Sequence, residues 1–163
     1  MNTPNSLAVC VDNSRQDIPP ISGDFTFFGG IYRDVWLTAV SKQHFHLTNY
    51  GSEGIFISTP KVSEEKGTIL IRGDIKNDAT QKALLELEHI IYHPNGSIAQ
   101  SLKQSIQIKA GEQYSFRSET SPILSPQLWT PETPHLYRVE SILRDKKTKT
   151  VLRPSNHYTG FAV

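Results

Sequence analysis

Residues 68–77 carry the clearest alternation in the chain: Ile69, Ile71, Gly73, Ile75 and Asn77 fall on one side, and Leu70, Arg72, Asp74 and Lys76 on the other. A period of two belongs to a strand with one face turned to a core. Residues 83–92 are less decided, because Leu84, Leu87 and Ile91 fit a helix face while Leu85, Leu87 and Ile91 fit a strand. The Pro94-Asn95-Gly96 hairpin signal that follows selects the strand. Residues 44–48 and 55–58 flank a glycine-containing turn, and 105–109, 113–117, 136–143 and 157–163 supply further short strands. Ala110-Gly111 and residues 146–149 read as turns between them. About seven strands at this spacing predict an all-β, immunoglobulin-like sandwich over residues 41–163. The chain shows no internal repeat and no low-complexity tract.

Residues 1–40 have a different texture. Residues 7–12 (LAVCVD) alternate as a strand does, a Pro-rich connection follows at 18–21, and residues 23–37 read GDFTFFGGIYRDVWL. Phe25, Phe27 and Phe28 are large apolar groups on a β-prone run, Gly29-Gly30 marks a turn, bulge or close approach, and residues 31–37 resume as a strand. Asp24 stands at the entry of this run, where a carboxylate either caps a turn or is presented to a ligand. Arg33 and Asp34 are placed to make charge-assisted hydrogen bonds.

Composition narrows the function classes. The 163 residues are 37% hydrophobic, enough for a modest sandwich core. Lys and Arg total 17 against 16 Asp and Glu, a formal charge of +1, which gives no electrostatic basis for a nucleic-acid or acidic-membrane partner. Cys10 is the single cysteine, so no internal disulfide forms and pairing says nothing of redox compartment. No apolar run approaches the ~18 residues of a membrane span, and residues 1–20 lack the basic start and apolar stretch of a signal peptide. Cytoplasmic, periplasmic and secreted locations all stay open.

Several residues invite sharper readings that their surroundings do not sustain. His44 and His46 share a strand face, yet no third ligand accompanies them, and no metal or other cofactor is expected. Glu86 and Glu88 also share a face, but carboxyl groups two apart on a strand lie ~6.6 Å apart and read as a solvated stripe. A retaining glycosidase sets its pair about 5 to 5.5 Å apart across a sugar pocket. Asn95-Gly96-Ser97 matches a glycosylation sequon but is a hairpin turn first. There is no Gly-x-Ser-x-Gly elbow, phosphate loop or Cys-x-x-Cys pair. No catalytic residue is assigned. Trp129 lies between Pro126 and Pro131 with Pro134 close behind, and burial at a sandwich corner is its expected role, as core or corner is for Tyr137.

Two segments together carry a family resemblance. Asp24, then five residues, then Gly30-Ile31-Tyr32-Arg33 resembles the end of the N-terminal sugar-binding domain of glycoside hydrolase family 2, which includes β-galactosidases, β-glucuronidases and β-mannosidases. Residues 125–137, SPQLWTPETPHLY, resemble the Leu-Trp-Ser-Pro-Glu-x-Pro-x-Leu-Tyr signature of that family's immunoglobulin-like domain. The resemblance implies that residues 1–40 are the closing strands of a jelly-roll sugar-binding domain, with an exposed edge that invites dimerisation or strand exchange. It implies that Asp24 points toward the sugar pocket when a barrel is present, and that Gly30, Arg33, Asp34, Trp129 and Tyr137 are structural motif residues. Hydrolysis in the family is a retaining double displacement by two Glu residues on a (β/α)₈ barrel, so this chain is expected to be inactive alone. Its partners would be its own barrel and the carbohydrate substrate. Tyr32, where glucuronidases usually have His, leans the parent toward β-galactosidase. One departure stands out: the family's Gly-Phe-Arg run appears here as Gly160-Phe161-Ala162.

Two other classes fit a bare sandwich. A free-standing immunoglobulin-like adhesion or scaffold module would make residues before Ser41 an extension or an added strand. A carbohydrate-binding module would need an exposed aromatic platform, for which Phe25, Phe27, Phe28 and Tyr32 are the clustered candidates.

Overall fold

The computed structural model describes residues 6–12, 30, 31, 33–49 and 51–162, which divide between two compact units, Met1–Thr38 and Ala39–Val163. In the larger unit every regular element is a strand: β1 (Gln43–Phe45), β2 (Ile55–Val62), β3 (Lys66–Asn77), β4 (Ala83–Tyr92), β5 (Ile98–Ile108), β6 (Gln113–Glu119), β7 (Ile123–Leu124), β8 (Tyr137–Asp145) and β9 (Val151–Thr159). They form two antiparallel sheets packed as an immunoglobulin-like sandwich. In the first, β3 is central, pairing β1 and β2 along one edge and β6 and β7 along the other. The second runs β5-β4-β8-β9.

Alternation along β3 and β4 explains why the two sheets close on each other. Ile69, Ile71 and Ile75 of β3 and Leu85, Leu87 and Ile91 of β4 are fully buried, and Phe45, Phe116, Tyr137, Val139, Leu143 and Phe161 complete the core. Burying a branched aliphatic or aromatic side chain of this size contributes about 1.5–3 kcal/mol each. Asn77 ends the inward row of β3 and is also fully buried. Its amide donates to the carbonyls of Gln81 (2.9 Å) and Lys109 (3.0 Å), and its oxygen accepts from Gln43 Nε2 (3.0 Å) and the Ala79 amide (3.2 Å). A polar residue on the apolar side is tolerated because its donors and acceptor are met.

Gly73 is a steric necessity at the centre of β3. A Cβ there would sit 2.3 Å from the Gly54 carbonyl oxygen and 2.8 Å from the Phe116 ring. The turn before β2 and the Phe116 ring of β6 both occupy the space a side chain would take.

The strands differ from the sequence expectation in five places. Residues 7–12 form no strand, and neither do the described residues among 31–37. Both stretches have strand composition but no partner ladder, and an unpaired strand leaves its backbone groups to solvent. Ile31, Val35, Trp36 and Leu37 are exposed. The strand expected at 44–48 shrinks to Gln43–Phe45, because beyond Ile75 the same edge of β3 is taken over by β2, with Ile55 opposite Gly73. β5 begins at Ile98 rather than Ser105, since β4 supplies a partner along its whole length, and the last strand is 151–159 rather than 157–163 for the same reason opposite β8.

Gly73→Ala is expected to lower unfolding free energy in urea by about 2 kcal/mol, as overpacking a filled core does. Gly96→Ala, at φ +87° with open space around it, should cost about 1 kcal/mol through backbone strain alone. Equal losses at the two positions would contradict the packing argument.

Candidate functional site

Of the residues the sequence singles out, Asp24 and Tyr32 lie outside the described residues, as do Phe25, Phe27 and Phe28. Gly30 has φ +116°, a conformation L side chains rarely adopt, and Arg33 and Asp34 follow it on exposed backbone. Trp129 and Tyr137 stand in the other unit, at the pole where β8 begins and β9 ends.

That pole is held by aromatic packing. Tyr137 is buried, with Phe161 edge-on at 4.9 Å and the His93 ring at 5.6 Å, and its hydroxyl accepts the Gln127 amide at 3.0 Å. The hydroxyl thus ties strand β8 to the backbone ten residues upstream, as a tyrosine corner does in immunoglobulin-like domains. Trp129 donates its amide to the Phe161 carbonyl at 2.8 Å and bridges Pro134. Contrary to the expected burial it is 37% exposed, because only one side of the indole is covered, packed so closely on Gly160 that a Cβ there would lie 2.8 Å from the Trp129 Cβ.

A second feature was not singled out by the sequence. His89, Ser141 and Ser155 are register neighbours on β4, β8 and β9, all buried on the inward face of the four-stranded sheet. His89 Nδ1 is 2.8 Å from Ser141 Oγ, and its ring lies 5.4 Å from that of Phe116. Nε2 is buried without a hydrogen-bond partner among the described residues. Burial holds the imidazole neutral and pushes its pKa down to about 4.

At the far end of this row Ser155 Oγ donates to Glu53 and lies 2.9 Å from His157 Nε2. Serine, histidine and glutamate together suggest nucleophilic catalysis, but the protons are arranged against it. A hydroxyl has one hydrogen, and here it goes to the carboxylate, so His157 Nε2 must donate to Oγ rather than accept from it. In a catalytic triad the carboxylate orients the far imidazole nitrogen, whereas Glu53 lies 3.8 Å from the same Nε2 that meets the serine. Ser155 is also 4% exposed, closed to a substrate carbonyl. Burial lowers the His157 pKa, with the Glu53 charge acting against it.

The outer face of the same sheet corrects the reading of Glu86 and Glu88. Glu88 is buried rather than solvated, because Arg144 (2.5 Å), Lys103 (3.2 Å) and Ser101 (3.2 Å) from the two flanking strands close over it. Burial alone would raise its carboxyl, yet the hydrogen bonds and charges of Arg144 and Lys103 outweigh that and hold it below the usual range. Glu86 meets Lys149 at 3.6 Å. Neither carboxylate borders a sugar-sized pocket shared with the other. His44 pairs with Asp78 at 3.8 Å and His46 with the Thr48 hydroxyl at 2.8 Å, and no cluster of three metal-ligating side chains exists among the described residues.

Comparison with known proteins places this geometry in context. The family model described as "Glycosyl hydrolases family 2" matches residues 53–161. The crystal structure of a Bacteroides uniformis β-glucuronidase superposes with a TM-score of 0.90 at 69% identity, covering 93% of this chain and 18% of that one. A β-glucuronidase of Bacteroides fragilis is 30% identical over 156 residues, 92% of this chain and 22% of its own length. A β-galactosidase of Thermoanaerobacter pseudethanolicus is 28% identical over 143 residues, 85% of this chain and 17% of the relative. The chain therefore spans less than a quarter of the length of each.

The buried imidazole gives a pH dependence with a definite sign. Between pH 6.5 and about 4 the unfolded chain binds a proton on His89 that the folded one refuses, so stability falls as pH is lowered through that window. Above it His89 contributes no slope. Urea titrations of the parent chain and His89→Gln should diverge below pH 6.5 by about 1.4 kcal/mol per pH unit, the variant being flatter. Parallel curves would show that the ring titrates normally.

Proposed function

Because the chain belongs to glycosyl hydrolases family 2, we propose that it is the supporting, noncatalytic part of a retaining β-glycosidase that hydrolyses β-glucuronides. Residues 41–163 are the immunoglobulin-like domain that holds a catalytic barrel in place, and residues 1–40 are the closing strands of the sugar-binding jelly roll. The hydrolytic glutamates belong to the barrel. Asp24 lends a carboxylate to the sugar pocket, Gly30, Arg33 and Asp34 shape the segment that presents it, and Trp129 and Tyr137 fix the pole of the sandwich where β8 begins.

The observation that carries this reading is the 69% identity across 93% of the chain to a β-glucuronidase. It weighs more than the lean toward β-galactosidase drawn from Tyr32, which rests on one position. The polar groups also support a noncatalytic role: every carboxylate with a close partner in the sandwich is spent on an ion pair or hydrogen bond within it, as Glu88 is on Arg144 and Lys103. The adhesion-module and carbohydrate-binding-module readings gain no comparable support.

The complete glycosidase and its Asp24→Asn variant test the assignment. A charge-assisted hydrogen bond to the sugar is worth about 1.5–3 kcal/mol, so kcat/KM for 4-nitrophenyl β-D-glucuronide should fall about 10- to 100-fold with unchanged thermal stability. The 163-residue chain alone should show no turnover. Preferential cleavage of the galactoside by the complete enzyme, or full activity of the variant, would refute the reading.

A further inference from the structure

The outer face of the five-stranded sheet carries a row that folding alone does not explain. Phe56 on β2, Arg72 on β3 and Arg117 on β6 stand directly opposite one another in register. Like charges facing each other across an antiparallel pair are destabilising. Arg117 is partly offset by Glu119, at 3.4 Å, whereas Arg72 is exposed and makes no hydrogen bond, ion pair or ring contact among the described residues. Two arginines opposite each other on paired strands and lining one groove, one of them without a partner among the described residues, are suited to engage a carboxylate together.

The surroundings supply the remaining parts of a sugar site. Both arginines line a groove of about 490 Å³ together with Phe56, Asn49, Asp74 and Ser115. That volume falls within the range of small-ligand sites and holds one or two pyranose rings. Asp74 Oδ1 accepts the Ser115 hydroxyl at 2.5 Å, which fixes the carboxylate and leaves its second oxygen for a sugar hydroxyl. Phe56 lines the groove beside the arginines, and Asn49 brings an amide to it. The polar groups except Asn49 sit on strands of the central sheet, so the site is preformed and does not depend on a loop closing.

We propose that this groove binds a uronic-acid residue of an acidic oligosaccharide, with Arg72 and Arg117 on the carboxylate and Asp74 on a ring hydroxyl. It would be a binding site on the outer face of the five-stranded sheet. The choice of a uronate over another carboxylate rests on the β-glucuronide reading, whereas the arginine pair itself does not.

Amide NMR on the isolated chain, which reads the groove without the hydrolytic reaction, provides the test. Titration with 4-nitrophenyl β-D-glucuronide should give saturable millimolar shifts centred on Phe56, Arg72, Asp74, Ser115 and Arg117. The uncharged 4-nitrophenyl β-D-glucoside should bind about tenfold more weakly, the equivalent of one lost charge-assisted hydrogen bond. Arg72→Gln should weaken the glucuronide by a similar factor while leaving the melting temperature unchanged or raised, because it removes a like-charge contact. No saturable shift, equal binding of glucoside, or equal response to sodium acetate would each overturn the proposal. None of those results bears on hydrolysis by the complete enzyme, so the two readings fail separately.

Discussion

Strand β3 is the constraint on which the rest of the sandwich depends. It pairs with four other strands, and it can do so only by being long enough for β1 and β2 to follow each other along one edge while β6 and β7 share the other. Its inward face sets the spacing between the sheets through Ile69, Ile71 and Ile75, and through the absence of a side chain at Gly73. Phe116 occupies that gap and in turn meets both Phe45 and the His89 ring. Interiors at this packing density respond to a single methyl group, so a change at Gly73 would propagate to both sheets.

The same economy shows in the polar groups. His89, Ser141 and Ser155 form one register row with Glu53 closing on its far end, and the hydrogen bonds His89–Ser141 and Ser155–Glu53 let these polar side chains be buried on an otherwise apolar face. Chemistry-bearing residue types are therefore present without chemistry. Ser155 gives its proton to a carboxylate, the imidazole beside it must donate, and the glutamates of β4 are engaged by cations. Glu53, Glu86 and Glu88 are thereby committed to holding the scaffold together.

The sequence made the core strands legible and left the cross-strand relations dark. Alternation at residues 68–77 was readable because every second position is isoleucine, glycine or the well-bonded Asn77. The β4 segment is ambiguous because Leu87 and Ile91 satisfy both periods, with Leu84 completing a helix face and Leu85 a strand, and only the hairpin after it decides the matter. His89 gave no signal: an imidazole in an alternating strand acquires meaning from Ser141 and Phe116, 52 and 27 residues away in the chain. Glu88 was misread for the same reason, since Arg144 and Lys103 reach it from neighbouring strands. The paired arginines at 72 and 117 are likewise visible only once the register of β3 with β6 is known. Asp24 is the reverse case: the family resemblance singles it out, and it lies outside the described residues.

On the proposed reading this chain contributes a sugar-contacting carboxylate and a rigid support, and performs no bond cleavage itself. The decisive measurement is a crystal structure of the complete glycosidase trapped with a covalent uronate-configured inactivator. The inactivator is expected to be bonded to a barrel glutamate, with an Asp24 oxygen within hydrogen-bond distance, about 2.6–3.2 Å, of the sugar. An inactivator bonded to any residue of this chain, or a sugar with Asp24 well beyond hydrogen-bond reach, would contradict that reading.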